Sequence, residues 1–195
     1  MSWGDLSPNG LYYATSGWSG IVKVFNVPSC EEKIRLEGHS NRAHHVWWHP
    51  LATISIPETG PNLVTASADF TVWLWNLVNS KNIVLKGHTD WVNYAEFHPI
   101  GHLIASSSHD MSWKLWDMNK RKEIQDQEGH VAAVYPLTFH VDGSILSSGD
   151  LNGVVQCWDL RTGKSLCSYV AHKWICLSLK WHPNGYHLFS GGDDN

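Results

Sequence analysis

Thirteen histidines stand in this 195-residue chain. Several are followed by an aspartate, 22 residues on in two units and 30 in one that carries an insertion, the pairing that general acid–base catalysis and metal binding both draw on. His39 leads to Asp69 and Trp75, His88 to Asp110 and Trp116, and His172 to Asp194. His130 leads to Asn152 and Trp158, so an amide stands where the other units carry a carboxylate; Asp150 is two residues out of register with that slot. A catalytic dyad occurs once, whereas this pair recurs in unit after unit, so the pattern points to structure. Eight of the thirteen histidines are repeat positions: His39, His88, His130 and His172 at one mark, His49, His98, His140 and His182 at another. His44, His45, His102, His109 and His187 remain. His44 and His45 are adjacent on an expected strand and so point to opposite faces, which argues against a two-histidine metal site. No nucleophile elbow, phosphate-cradling glycine loop or separate acid/base carboxylate pair is present. The sequence therefore predicts no catalytic residue, metal or cofactor.

The elements that position these residues repeat as well. From His88 it is 10 residues to His98, 12 more to Asp110, 6 more to Trp116 and 14 to His130, a cycle of 42. Between the marks lie short runs rich in β-branched and aromatic residues, such as TVWLWN and LIASSS, separated by turn residues. A period of 40 to 45 residues built this way is one four-stranded propeller blade. The fold class is all-β, with about four and a half blades, approximately 1–37, 38–86, 87–128, 129–170 and an incomplete 171–195. The first blade is degenerate, with Ser19 in the aspartate slot. The second carries 8 extra residues within LATISIPETGPN, where Pro57, Gly60 and Pro61 mark an enlarged loop. Each aspartate should accept bonds from turn amides and from the imidazole, which a strand hydroxyl links on to the indole. The bulky residues closing the inner strands, Trp48, Phe97, Phe139 and Trp181, should fill the space between blades.

A net charge of −4 gives no general basic field for a nucleic-acid backbone. No apolar run is long enough to cross a bilayer, and MSWGDLSPNG lacks the features of a secretory signal. Cys30, Cys157, Cys167 and Cys176 form no Cys-x-x-Cys pair and read as buried thiols of a reducing compartment. The expectation is a soluble intracellular protein. A basic cluster, Lys114 with Lys120, Arg121 and Lys122, falls near the third-to-fourth strand turn of blade three and reads as a solvated turn.

The Gly-His, His-Pro, Asp and Trp-Asp marks over essentially the whole chain resemble the WD-repeat propeller family. WSG at 18–20, the long insertion, SWKLWDM at 112–118, EIQDQEGH at 123–130, VDGSILSSGDL at 141–151, WDLRTGK at 158–164 and PNGYHLFSGGDDN at 183–195 are similar to the spliceosomal WD-repeat proteins of the U4/U6 small nuclear ribonucleoprotein. That resemblance implies a nuclear, non-enzymatic scaffold supporting assembly of the U4/U6·U5 particle for pre-mRNA splicing. It implies as partners the other U4/U6 proteins, including the second large processing factor and a cyclophilin-type isomerase, with U4/U6 RNA held indirectly and no membrane. It also implies a seven-bladed ring of about 300 residues at this period, of which this chain holds part. In such propellers partners often dock on one face, at positions that here are Trp18, His109 and Asp193, then His44, Asn93 and Tyr135, then Arg42 and Trp91. Trp18 and Trp91 could equally pack between blades. A second resemblance stays open. Trp158-Asp159-Leu160-Arg161 is similar to the motif by which substrate receptors of cullin-type ubiquitin ligases present an arginine to their adaptor, which would give Arg161 that role.

Overall fold

The computed structural model describes residues 3–52, 62–78 and 81–194. The loop expected at Pro57, Gly60 and Pro61 lies outside the described residues. Among those described there is no helix, and hence none long and apolar enough to cross a membrane. The chain forms two compact units, Met1–Phe97 and His98–Asn195.

The first unit holds two antiparallel sheets of four strands. One runs in the order β1 (Gly4–Leu6), β2 (Tyr12–Ser16), β3 (Val22–Asn26), β4 (Glu32–Leu36). The other is β5 (Ala43–Trp48), β6 (Leu63–Ser67), β7 (Thr71–Trp75), β8 (Asn82–Lys86). β9 (Val92–Phe97) completes the unit and packs on β5 and β6. The second unit holds β10 (Leu103–Ser108), β11 (Trp113–Asp117) and β12 (Lys122–Gln127), joined in that order. A four-stranded sheet follows, β13 (Val134–Phe139), β14 (Ile145–Asp150), β15 (Val154–Asp159), β16 (Lys164–Val170), and then the pair β17 (Cys176–Trp181) and β18 (Leu188–Gly192). Consecutive strands pair as meanders, the pattern of propeller blades.

Inner strands are buried on both sides because each lies in a sheet stacked between neighbours. Every residue of β6 and β9 is buried, whereas the fourth strands β12 and β16 are mostly exposed. In the first unit Ala14, Val24, Val46, Trp48, Leu63 and Trp75 form one apolar cluster spanning two sheets. Trp48 is fixed there by its backbone amide on Asp5 Oδ2 and its indole on the Asp5 carbonyl, each at 3.0 Å. A shorter cluster, Val155, Cys176 and Leu179, joins β15 to β17 in the second unit.

Bulges recur at matching places. The inner strands shift register at Ala43/His45, Val134/Leu137 and Cys176/Ser178. The bulge explains a departure from strict alternation at His44 and His45. Both imidazoles donate to carbonyls of the same strand, β9: His44 to Val92 at 3.2 Å and His45 to Ala95 at 3.0 Å. His45 is buried and stacks on Tyr94. Neither histidine has a metal-binding neighbour set; among the described residues no group of three or more His, Cys, Asp or Glu could hold an ion.

The turn between the second and third strands of a blade needs a left-handed residue. Gly153 supplies it with φ +75°, while Phe70 and Met111 occupy the matching place at +69° and +66° without glycine's freedom.

Candidate functional site

The linkage from histidine to tryptophan is built the same way in the second and fourth repeats. In the second, His39 Nδ1 donates to Asp69 Oδ2 at 2.8 Å, and His39 Nε2 meets Thr65 Oγ1 at 2.7 Å. The Trp75 indole donates to that same hydroxyl at 2.9 Å. An indole only donates and a carboxylate only accepts, so the Thr65 hydroxyl accepts from Trp75 and the His39 Nδ1–H donates to Asp69. Asp69 also accepts from the amides of Ser40 and Thr71, both at 3.1 Å, and from the Thr71 hydroxyl. Burial works against its charge, but the bonds from His39, Thr71 and Ser40 outweigh it and hold the carboxyl well below its ordinary range.

In the fourth repeat the carboxylate is Asp150, not Asn152. His130 Nδ1 lies 3.0 Å from Asp150 Oδ2 and His130 Nε2 lies 2.7 Å from Ser148 Oγ, which accepts the Trp158 indole at 2.8 Å. The expected neutral linkage through Asn152 is thus replaced by a charged one, with both side chains 1% exposed. Counting back from Trp158 finds the turn residue, but the requirement is for an oxygen that reaches the imidazole. Asp150, at the end of β14, meets it from two residues earlier. Its second oxygen accepts the amides of Asn152 at 2.9 Å and Val154 at 3.0 Å, the turn work that Asp69 performs for Thr71. Asn152 itself is exposed.

In the fifth repeat His172 bonds Asp194 and Ser190, each at 2.9 Å. In the third, Asp110 accepts from the Ser112 amide and hydroxyl, and Trp116 donates to Ser106 at 2.8 Å. His88 is buried in the first unit.

A second set of contacts was not read from the sequence. The His-Pro histidines reach forward into the next repeat. His98 Nε2 donates to the Gly143 carbonyl at 3.0 Å, and its ring stands edge-on to Phe139 with centroids 5.0 Å apart. His140 repeats this on the Gly185 carbonyl at 2.9 Å and on Trp181 at 4.8 Å. Gly143 has φ +77°, and any Cβ there would collide with the His98 ring. The available signal was a glycine three residues after three of the four such histidines, at 101, 143 and 185. His140 also contacts Asp142 at 2.7 Å; burial opposes its protonation, but Asp142 and the Gly185 carbonyl raise it above the ordinary value.

The residues expected to meet a partner divide into three kinds. Trp18 is 62% exposed, so it does not pack between blades; the Arg42 guanidinium lies 4.1 Å from its ring centroid. Trp91 is exposed and stands edge-on to His44 at 6.1 Å. These four are brought together in two pairs within the first unit. Asn93, by contrast, is buried and offers a partner no surface. His109 and Tyr135 are half-buried, and burial pushes the Tyr135 phenol up. Asp193 is exposed beside Trp174, a tryptophan the sequence reading passed over although it is 64% exposed.

Lys114 is not part of the basic turn. It is buried on β11 between Glu123 at 3.1 Å and Asp126. Lys120, Arg121 and Lys122 are exposed. Of the cysteines only Cys157 and Cys176 are buried, and burial pushes both thiols up to about 11; Cys30 and Cys167 are exposed.

Comparison with known proteins agrees with this geometry. The family model described as WD domain, G-beta repeat matches residues 30–76, 79–117, 121–159 and 163–195, most of the chain. The chain is 29% identical to the U4/U6 small nuclear ribonucleoprotein PRP4 of Saccharomyces cerevisiae over 64% of its own length and 27% of that protein. It is 30% identical to apoptotic protease-activating factor 1 of Danio rerio over 66% of its length and 10% of that protein, and 29% identical to nuclear distribution protein nudF of Aspergillus terreus over 65% and 32%. The match thus spans a third or less of each of these relatives. With the repeating linkages and the blade meanders in hand, the chain is a member of the WD-repeat (WD domain, G-beta repeat) family, an all-β propeller architecture that serves as an interaction scaffold.

Proposed function

We propose that this chain is a non-catalytic scaffold of a U4/U6-type small nuclear ribonucleoprotein, acting in the nucleus to hold particle proteins together for pre-mRNA splicing. The observation that carries the reading is the division of labour among its residues. The His–Asp pairs are committed to linking strands, while Trp18 with Arg42, Trp91 with His44, and Trp174 stand exposed as the aromatic and arginine anchors that interfaces favour. The similarity to the yeast U4/U6 protein supplies the particle. The partners are then the second large processing factor and a cyclophilin-type isomerase, with U4/U6 RNA held through them. Tagging the chain at its native locus and probing the purified material for U4 and U6 RNA tests this. Enrichment of both is expected; clean recovery without them sinks the splicing assignment. A second reading, a substrate receptor of a cullin-type ligase, is favoured by one feature, the exposed Arg161 following Trp158-Asp159-Leu160. It predicts an adaptor interaction that Arg161→Ala abolishes, in material free of those RNAs.

A further inference from the structure

A groove of about 790 Å³ runs between the third and fourth repeats within the second unit. Its floor is apolar, made by Leu115, Ile145 and Leu160, and its walls carry Ile124 and Leu166 from the outer strands β12 and β16. Those two side chains are 48% and 54% exposed, on strands whose other exposed residues are largely polar. The turn from β15 to β16 overhangs one end, where a Cβ on Gly163 would come within 3.2 Å of the Gln125 amide. The volume is that of a ligand-sized site rather than a gap between side chains.

The charges around this groove are not evenly committed. Asp117 accepts the amides of Asn119 and Lys120, Asp159 accepts the amide of Arg161, and Asp142 is engaged by Ser144 and His140. Glu123 and Asp126 are taken by the buried Lys114. The cations are less occupied. The Arg161 side chain is 85% exposed and comes no nearer Asp159 than 3.8 Å, Lys120 is held only at 3.6 Å, and Arg121, Lys122 and Lys164 are exposed. An apolar trough thus has in its lining one cation with capacity to spare, Arg161, while the lining carboxylate Asp159 is already engaged by the Arg161 amide. Phosphate could answer the cation, but no Phe, Tyr or Trp lines the groove. Its one imidazole, His98, is buried, bonded to the Gly143 carbonyl and edge-on to Phe139, so a nucleobase finds no open ring face there. A carboxylate-bearing peptide with aliphatic side chains satisfies both parts at once.

We propose that this groove docks an acidic, leucine- or isoleucine-bearing segment of a partner protein, with aliphatic side chains seated between Ile124 and Leu166 and a carboxylate on Arg161. The proposal rests on the chain being a scaffold and names the chemistry of one of its partners.

The test uses the full chain and a fluorescein-labelled synthetic peptide of glutamates interrupted by two leucines, read by anisotropy and hydrogen exchange. A peptide with lysine for glutamate and a uridine-rich RNA oligomer are run beside it. The acidic peptide is expected to bind and to protect residues 122–127 and 160–166, and the lysine peptide to bind neither there nor elsewhere. Leu166→Glu and Arg161→Glu should each weaken binding about tenfold, the scale of losing one desolvated or charge-assisted contact; both sites are exposed, and far-UV circular dichroism checks that the variants fold. Unchanged affinity in both variants, protection confined to other residues, or equal binding of the RNA oligomer in competition with the peptide overturns the proposal. The outcome is separable from the splicing assignment: a chain that brings down U4 and U6 RNA but ignores the peptide loses the groove alone.

Discussion

A hydroxyl with one proton and two acceptor sites is the pivot of the second, third and fourth repeats. Thr65, Ser148 and Ser106 each take an indole N–H, and Thr65 and Ser148 also meet an imidazole, so the buried polar atoms of three side chains are satisfied together. The scheme explains why the carboxylate can be supplied from either of two backbone positions, provided it reaches Nδ1. Asp150→Ala should therefore cost about 1–3 kcal/mol, the penalty for leaving a buried imidazole N–H without its acceptor, while Asn152→Ala should stay within about 0.5 kcal/mol. Urea denaturation of the two variants decides it. Equal losses would restore Asn152 to the linkage.

At the scale of strands and turns, much was legible beforehand. The 42-residue period set which segments pair, because each blade must contribute a meander of matched length, and the runs TVWLWN and LIASSS became β7 and β10. What the period hid was whatever depends on a neighbouring repeat. Nothing local to His98 announces that its partner is a carbonyl 45 residues on, and nothing in the spacing says that Lys114 faces Glu123 and Asp126 across β12. The same distinction separates two turn substitutions. Met111→Gly relieves a left-handed backbone at an exposed site, and after glycine's entropy cost it should stabilise by about 0.5–1 kcal/mol. Gly143→Ala meets both a positive φ and the His98 ring, and should destabilise by more than about 2 kcal/mol. Thermal unfolding of the pair checks the signs; a destabilising Met111→Gly would mean that its side chain contributes packing that the 49% exposure does not suggest.

Taken over the whole molecule, the ionisable groups favour a weakly acidic optimum. Asp69, Asp142 and Asp194 are held below their ordinary value of 3.8, Asp69 against its burial by His39, Asp142 first by Ser144, and Asp194 first by the Lys173 amide. A lowered carboxyl contributes stability that is complete above the unfolded value and is lost as pH falls through the folded one. His140 is raised above 6.5, so its contribution is present below that value and disappears as pH rises through the folded one. Melting temperature should thus peak between about pH 5 and 6.5, with a steep acid limb and a shallow alkaline one. His140→Gln should flatten the alkaline limb and take away only the part of the acid limb that His140 contributes by lowering Asp142, leaving the parts due to Asp69 and Asp194. An alkaline limb unchanged by that substitution would remove His140 from the account.

The three exposed tryptophans have an optical consequence. Trp48, Trp75, Trp113, Trp116 and Trp158 are shut away from solvent, whereas Trp18, Trp91 and Trp174 face it. A collisional quencher such as iodide reaches only indoles in contact with water, so the quenchable part of the intrinsic emission is weighted toward those three, with smaller shares from the half-buried Trp3, Trp47, Trp73 and Trp181. The chain carries its own label where a partner is expected to land. Shielding of that fraction on mixing would register binding with no dye attached, and would separate a ligand that covers these rings from one lodged in the groove beside Arg161, which has no tryptophan in its lining.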